Sequence, residues 1–249
     1  MTYKFQTPAI FLIGPTASGK TETSLRLAEE FPLEIISVDS AMVFKEMNIG
    51  TCKPSLQNLE NVPHHLIDIL QPDAEFDVGI FIRYVDSAIQ TIIQNKKIPL
   101  FVGGTMMFHK VLLDGIHDFP RDDSLREEID QIRRNKGYQL LLNELELLDP
   151  ETFQLIDKKN PRRVQRALEI IKLTKTKLSL LKKEPSKKFL NSENCLILGM
   201  NDSKNNLDIS VEKRLRSIIE DGLVNELEKL INTYKLTSES HSMLSLIHI

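Results

Sequence analysis

Ala9-Ile10-Phe11-Leu12-Ile13-Gly14-Pro15-Thr16-Ala17-Ser18-Gly19-Lys20-Thr21 decides the fold. The first five residues are all apolar, as in a strand buried on both faces. The next eight follow the pattern GxxxxGK[ST], and Glu22 to Phe31 then carries Leu25 and Ala28 at helical spacing before Pro32. Strand, glycine-rich turn and helix in that order form a phosphate-binding loop, or P-loop. Glycine lets successive N–H groups turn toward one anion, and the helix N-terminus adds a favourable dipole. Lys20 contributes a point charge, and the Thr21 hydroxyl is placed for Mg2+. Gly14, Pro15, Thr16, Ala17, Ser18, Gly19, Lys20 and Thr21 are therefore expected to hold a di- or triphosphate.

Working outward, Glu34 to Val38 reads as a second strand and Leu66 to Ile69 as a third. Asp77 to Gln94 has a helical apolar face of Ile80, Phe81, Tyr84, Val85, Ala88 and Ile92. Ile98 to Val102 is another buried strand, followed by Gly103-Gly104-Thr105 and a helix from Met106 to about Leu113. Strands alternating with helices predict an α/β fold with a parallel, doubly wound sheet. After Gly115 the texture becomes helical, with Pro161 suited to the first position of a helix. Asn194 to Met200 returns to a strand, and Leu207 to Tyr234 is helical with a break at Gly222. The expected organisation is a P-loop NTPase-like core (1–119 and 191–243) with a helical insertion domain (120–190).

The 249 residues suffice for a sizeable core, and 41% hydrophobic with 27% charged residues is ordinary for a globular protein. The net charge of −3 excludes a general polycation, so affinity for nucleic acid has to come from a local patch. Cys52 and Cys195 lie in no CxxC or Cys/His cluster, which argues against a disulfide framework or structural zinc. The N-terminal apolar run is too short for a signal segment or a membrane span. A cytoplasmic, monomeric protein with no membrane association is expected.

Asp39 follows the second strand directly. The carboxyl ends of strands line the ligand crevice in open α/β sheets, so Asp39 is expected to face the phosphate loop. There a carboxylate can hold Mg2+ or take a proton; the alternative is a turn or cap aspartate, a role Ser40 could share. His64 and His65 are adjacent in a strand and point to opposite faces, so they do not chelate one ion. Cys52 reads as a small packed residue.

Taken with the P-loop, five further stretches resemble the tRNA dimethylallyltransferase family. They are Ile36-Ser37-Val38-Asp39-Ser40, Asn48-Ile49-Gly50-Thr51 with Lys53-Pro54, Val62 to Asp68, Val102-Gly103-Gly104-Thr105-Met106 and Asn160 to Glu169. These motifs fall in order across residues 9–235. The resemblance implies that the N6 amine of adenosine 37 in tRNA attacks C1 of dimethylallyl diphosphate and displaces pyrophosphate. It implies that the P-loop, with Lys20 and a Thr21-bound Mg2+, binds that leaving group. It also implies that Asp39 is the general base and Thr105 a catalytic neighbour. Asp39, Ser40, Ala41, Met42, Thr105, Arg126, Arg162, Arg163, Val164, Gln165 and Arg166 are the implied tRNA-binding residues. The chain departs from the family at Met42 and Phe44, where many members have Gln and Tyr, and at Ser210, near which an arginine is usual, leaving Arg214. Beyond Ser242-Met243 the resemblance implies an Ile-Gly-Tyr motif and tens of further residues. Residues 244–249 instead read as a non-native tail, so the core is expected to be truncated at its C-terminal side and the chain's own activity impaired.

Gln154 to Lys188 carries twelve Lys/Arg against three acids, +9 in 35 residues. Charge sorted to this degree is the footprint of a polyanion partner or, alternatively, a solvated helical face. On a helix Arg162 and Arg166 share a face, with Arg163 about 100° around. The competing functions are an adenylate isopentenyltransferase acting on free AMP or ATP, a P-loop nucleotide kinase, and a non-catalytic RNA-binding remnant. The first has less need for a basic insertion. The second leaves Asp39 and Gly103-Gly104-Thr105 without a role.

Overall fold

The computed structural model describes residues 5, 7–186, 188–237 and 240–243, so the tail expected at 244–249 and Lys187 of the basic stretch lie outside the described residues. Two compact units are present: residues 1–113 with 189–249, and residues 114–188.

In the first unit, β1 (Ala9–Ile13), α1 (Lys20–Glu30), β2 (Leu33–Ser37), α2 (Leu56–Asn61), β3 (His64–His65), α3 (Val78–Gln94), β4 (Ile98–Gly103) and α4 (Met106–Asp114) follow one another. After the second unit come β5 (Cys195–Gly199), α10 (Lys204–Glu220) and α11 (Leu223–Tyr234). The five strands are all parallel, in the order β3-β2-β4-β1-β5. Ile13 pairs in register with Gly103 on one side and Gly199 on the other, while Ser37 lies level with Val102. The P-loop, Asp39 and Gly103-Gly104-Thr105 therefore leave the same edge of the sheet.

β1 and β4 are covered on both faces, which is why neither has a polar alternate position. Phe11, Ile36, Val38 and Phe101 pack with Phe81, Val85, Ile89 and Ile92 of α3 and Phe108 and Leu112 of α4. Leu12, Ile35 and Leu100 face Leu25, Leu27 and Ala28 of α1. Asp77 caps α3 by accepting the Ile80 N–H at 2.9 Å. Gly222, at φ 101°, separates α10 from α11.

The third strand differs from expectation. It is two residues long, His64–His65, and the stretch Leu66 to Ile69 is not a strand. Leu66 and Asp68 have φ of 65° and 55°, a left-handed geometry that ends strand pairing. The segment is held by other backbone bonds: the N–H groups of Asp68, Ile69 and Leu70 donate to Met42 and Val43 carbonyls. Lys53 fixes this turn through Asp68 and the Phe44 carbonyl.

The second unit contains α5 (Asp123–Lys136), α6 (Tyr138–Leu148), α7 (Pro150–Leu155), α8 (Pro161–Thr174) and α9 (Leu178–Leu181). Its own core joins Ile129, Leu141, Leu145, Val164, Leu168, Ile171 and Leu178. Pro161 occupies the first turn of α8, and Asn160 caps it by accepting the Arg163 N–H.

Candidate functional site

The loop between β1 and α1 takes its shape from local constraints. Ala17 has φ 63° and Gly19 φ 82°, and Gly19 caps α1 in the left-handed region. Gly14 leaves no room for a side chain: a Cβ there would fall 2.8 Å from the Met200 carbonyl oxygen. Lys20 Nζ donates to the Gly14 carbonyl at 2.9 Å and also to that of Pro15. Burial lowers the Lys20 pKa, Arg214 lowers it further, and Asp39 opposes both. The Ser18 hydroxyl is buried without a partner among the described residues, which leaves it free to bond a ligand oxygen.

A cavity of about 400 Å3 opens above this loop. Thr16 to Glu22 line one side, and Asp39, Met42, Gly103, Gly104 and Arg214 line the rest of its polar mouth. Ile35, Ile67, Val102 and Pro54 supply apolar wall, with His64 and Ser37 among them. Asp39 has two roles available at once. Its Oδ1 accepts the N–H groups of Ala41 (2.8 Å) and Met42 (3.1 Å), so the turn-aspartate reading is realised. Its Oδ2 has no hydrogen-bond partner among the described residues and belongs to a side chain that lines the cavity. Ser40 is exposed and Ala41 buried in that turn. The Thr105 N–H donates to the Val38 carbonyl at 3.4 Å, which ties the Gly103-Gly104-Thr105 turn to the residue before Asp39.

Arg214 is the residue that sequence reasoning undervalued. It reaches the cavity from α10 and its Nε donates to Cys52 Sγ at 3.0 Å. No local pattern announces this, because α10 reads as an ordinary charged helix. Met42 lines the cavity and its sulfur accepts from the Ser37 hydroxyl at 3.8 Å, whereas Phe44 is fully buried edge-on to Phe76. His64 Nδ1 meets the Val62 carbonyl and His65 pairs with Glu34 at 2.7 Å, two separate environments.

Set beside known proteins, residues 42–247 match the family model described as IPP transferase. The chain belongs to the IPP transferase family. It is 40% identical over 224 residues to tRNA dimethylallyltransferase 2 of Geotalea uraniireducens, covering 89% of this chain and 72% of that one. It is 37% identical over 237 residues to the tRNA dimethylallyltransferase of Thiobacillus denitrificans, covering 95% and 75%. Among solved structures it resembles a eukaryotic dimethylallyltransferase acting on tRNA, with TM-score 0.81 and 29% identity over 94% of this chain and 59% of that one. It also resembles the tRNA isopentenylpyrophosphate transferase of Bacillus halodurans, with TM-score 0.61, 30% identity and coverage of 98% and 78%.

In the helical unit, Arg126 and Arg166 have a different environment from Arg162 and Arg163. Glu169, fully buried, accepts from Arg126 Nε at 2.9 Å, Arg166 Nη1 at 2.7 Å and the Asp122 N–H at 2.9 Å. Arg166 also donates to the carbonyls of Pro120 and Phe119. Burial raises the Glu169 pKa, but the Asp122 N–H and the two guanidinium groups outweigh it and hold the carboxyl below its ordinary value. Val164 is core, and the Gln165 side-chain amide donates to the Arg126 carbonyl. Arg162 and Arg163 are exposed in the first turn of α8. Arg162 has no side-chain partner among the described residues, and Arg163 has only an exposed pairing with Asp157 at 3.7 Å.

Among the described residues no helix is long and apolar enough to cross a membrane, and no group of three or more His, Cys, Asp or Glu is placed to hold a metal ion.

Proposed function

We propose that this chain transfers the dimethylallyl group of dimethylallyl diphosphate to the N6 amine of adenosine 37 in tRNA and releases pyrophosphate. The observation that carries the reading is the convergence of the P-loop, Lys20, Arg214 and an unpaired carboxylate oxygen of Asp39 on one cavity. The N6 lone pair attacks the allylic C1, the C1–O bond breaks, and its electron pair leaves with pyrophosphate. The N6 proton passes to Asp39 Oδ2. Lys20 leaves the Gly14 and Pro15 carbonyls for the diphosphate. Together with Arg214, the Ser18 hydroxyl and the P-loop N–H groups, it stabilises the charge developing on the leaving oxygen. Thr105, one residue beyond the cavity lining, is proposed to hold the reacting groups from the opposite side.

The donors beside the loop are hard oxygens, the Thr21 hydroxyl and Asp39, which suits an ion held by one or two protein oxygens plus phosphates and water. Mg2+ would sit on Thr21 and supply additional positive charge to the leaving diphosphate. The adenine has to leave its stack to reach the cavity, as base-modifying enzymes require. The helical unit is proposed as the anticodon stem-loop platform, with Arg162 and Arg163 on phosphates. A monomer suffices, since one chain supplies all these groups.

The deciding experiment offers labelled dimethylallyl diphosphate together with tRNA, AMP or ATP. Label in tRNA alone is expected. Label in AMP or ATP would make the chain an adenylate isopentenyltransferase, and ATP hydrolysis without transfer would make it a kinase or NTPase.

A further inference from the structure

His109 lies on α4 and is 1% exposed, yet it is not an ordinary packed ring. Its Nε2 stands 3.2 Å from the Gly103 carbonyl oxygen. A carbonyl only accepts, so the proton is on Nε2 and Nδ1 keeps a lone pair. That Nδ1 is buried with no partner among the described residues. The ring otherwise meets Phe11 edge-on, at 5.8 Å and 63°. Burial lowers the His109 pKa against the opposing Gly103 bond, and the Lys20 charge lowers it further, so the ring is neutral at pH 7. A phenylalanine would fill the same aromatic surroundings without orphaning a nitrogen. What a phenylalanine cannot provide is the Nε2–H donor to Gly103.

Gly103 is clamped on its other side as well. A Cβ there would fall 2.1 Å from the Val38 carbonyl oxygen, so the two backbones are in direct contact. That same Val38 oxygen receives the Thr105 N–H, and the next residue is Asp39. Gly104 in turn faces the Gly14 carbonyl, 3.8 Å from where its Cβ would be.

We infer that His109 is a positioning residue: by holding the Gly103 carbonyl it sets the Gly103-Gly104-Thr105 turn against Val38 and the P-loop, and so fixes Thr105 relative to Asp39. The inference rests on the reading of Asp39 and Thr105 given above. His109 itself does not line the cavity, so the bond acts through the Gly103 turn, and its effect falls chiefly on the placement of the reacting groups.

The test compares wild type, His109→Phe, His109→Gln and Asp39→Asn, with an anticodon stem-loop RNA as acceptor and dimethylallyl diphosphate as donor. His109→Phe should lower kcat about tenfold or more with both KM values within about twofold, because misplacement acts on the reacting geometry. His109→Gln keeps an N–H at the Nε2 position and should restore kcat to within about threefold of wild type. A packing role would instead lower the melting temperature of both variants alike and leave kcat unchanged. Normal kcat in His109→Phe, a loss confined to KM, or a Gln variant as slow as the Phe variant overturns the inference. Should His109→Phe not fold, His109→Asn replaces it, since its shorter amide does not reach Gly103; slow Asn with normal Gln is then the expected pair. Asp39→Asn separates the two levels of argument. If it turns over normally, the reading of the site fails and the inference with it. If it is slow while His109→Phe is normal, only the inference fails.

Discussion

The carboxylate of Glu226 accepts the backbone N–H of Ile49 at 2.8 Å, across 177 positions of chain. It also accepts the N–H groups of Asn48 at 2.8 Å and Gly50 at 3.0 Å, so one side chain of α11 satisfies three successive donors. The segment it holds continues into Cys52, which receives the Arg214 hydrogen bond, and Pro54, which lines the cavity. Glu226→Ala leaves all three N–H groups to find water. The expected cost is roughly 2–4 kcal/mol of stability, as for loss of hydrogen bonds to a charged acceptor. Pyrophosphate affinity should fall as well, because the Arg214 support moves with the segment. Thermal melts and pyrophosphate titration check both, and an unchanged melt with unchanged affinity contradicts the clip.

Asp39 is best tested as asparagine. Asp39→Ala would remove the acceptor of the Ala41 and Met42 N–H groups together with the proposed base, whereas Asn keeps the Oδ1 acceptor and changes only the free oxygen. Removing a general base typically costs about 10²–10⁴ in rate. Asp39→Asn should show that loss in kcat with tRNA affinity retained. Near-normal turnover would remove Asp39 from the mechanism.

The proposed leaving-group site is tested separately. Lys20→Ala, Thr21→Ala and Arg214→Gln should each weaken binding of dimethylallyl diphosphate and of pyrophosphate. Pyrophosphate should compete with dimethylallyl diphosphate, and ATP no better than other polyanions. Tight ATP binding would move the chain toward kinase or NTPase chemistry.

Where the physics is local, the sequence was readable. β1 and the P-loop follow from a run of apolar residues and a pattern confined to thirteen positions, Ala9 to Thr21. Asp77 caps α3 through a contact three residues away. Leu66 to Ile69 failed because its apolar pattern suits a strand, while its left-handed residues answer to Lys53 and to the carbonyls of residues 42 and 43. Arg214 and Glu226 act on parts of the chain more than 150 residues earlier, and neither has a neighbour in sequence that signals it. Charge counting treated Arg162 and Arg166 alike; buried Glu169 is what separates them.

The helical unit should show acid-dependent stability traceable to Asp149. Burial pushes its carboxyl up, but the N–H and hydroxyl groups of Ser179 and Thr152 overcome this and hold the pKa at about 2, against an ordinary 3.8. A folded pKa below the unfolded one contributes stability above about pH 4 and loses it as pH falls toward 2. The shift corresponds to roughly 2 kcal/mol. Asp149→Asn places an NH2 group among donors and should destabilise the chain at pH 7 while flattening the decline between about pH 4 and 2. Denaturation across that range measures it, and an equal slope in both proteins would assign the acid sensitivity elsewhere.

The last prediction concerns which arginines report on RNA. Arg166 and Arg126 both serve Glu169, which is fully buried. Removing Arg166 leaves the carboxylate with Arg126 and the Asp122 N–H, so the cost is that of one lost charged hydrogen bond, about 1–3 kcal/mol. Arg166→Ala should therefore lower the melting temperature, so a loss of tRNA binding in that variant does not by itself report a phosphate contact. Arg162 and Arg163 carry no such burden. Arg162→Ala with Arg163→Ala should leave the melt nearly unchanged, since exposed charges contribute little to stability. It should raise the Kd for tRNA and reduce the salt dependence by roughly one counterion unit per lost phosphate contact. Dimethylallyl diphosphate affinity should be unaffected, because every residue lining its proposed cavity belongs to the other compact unit. The measurement is tRNA affinity at several salt concentrations beside a thermal melt for each variant. A double variant with wild-type affinity and salt slope would mean that this turn of α8 is a solvated face, and that the RNA is held by other residues.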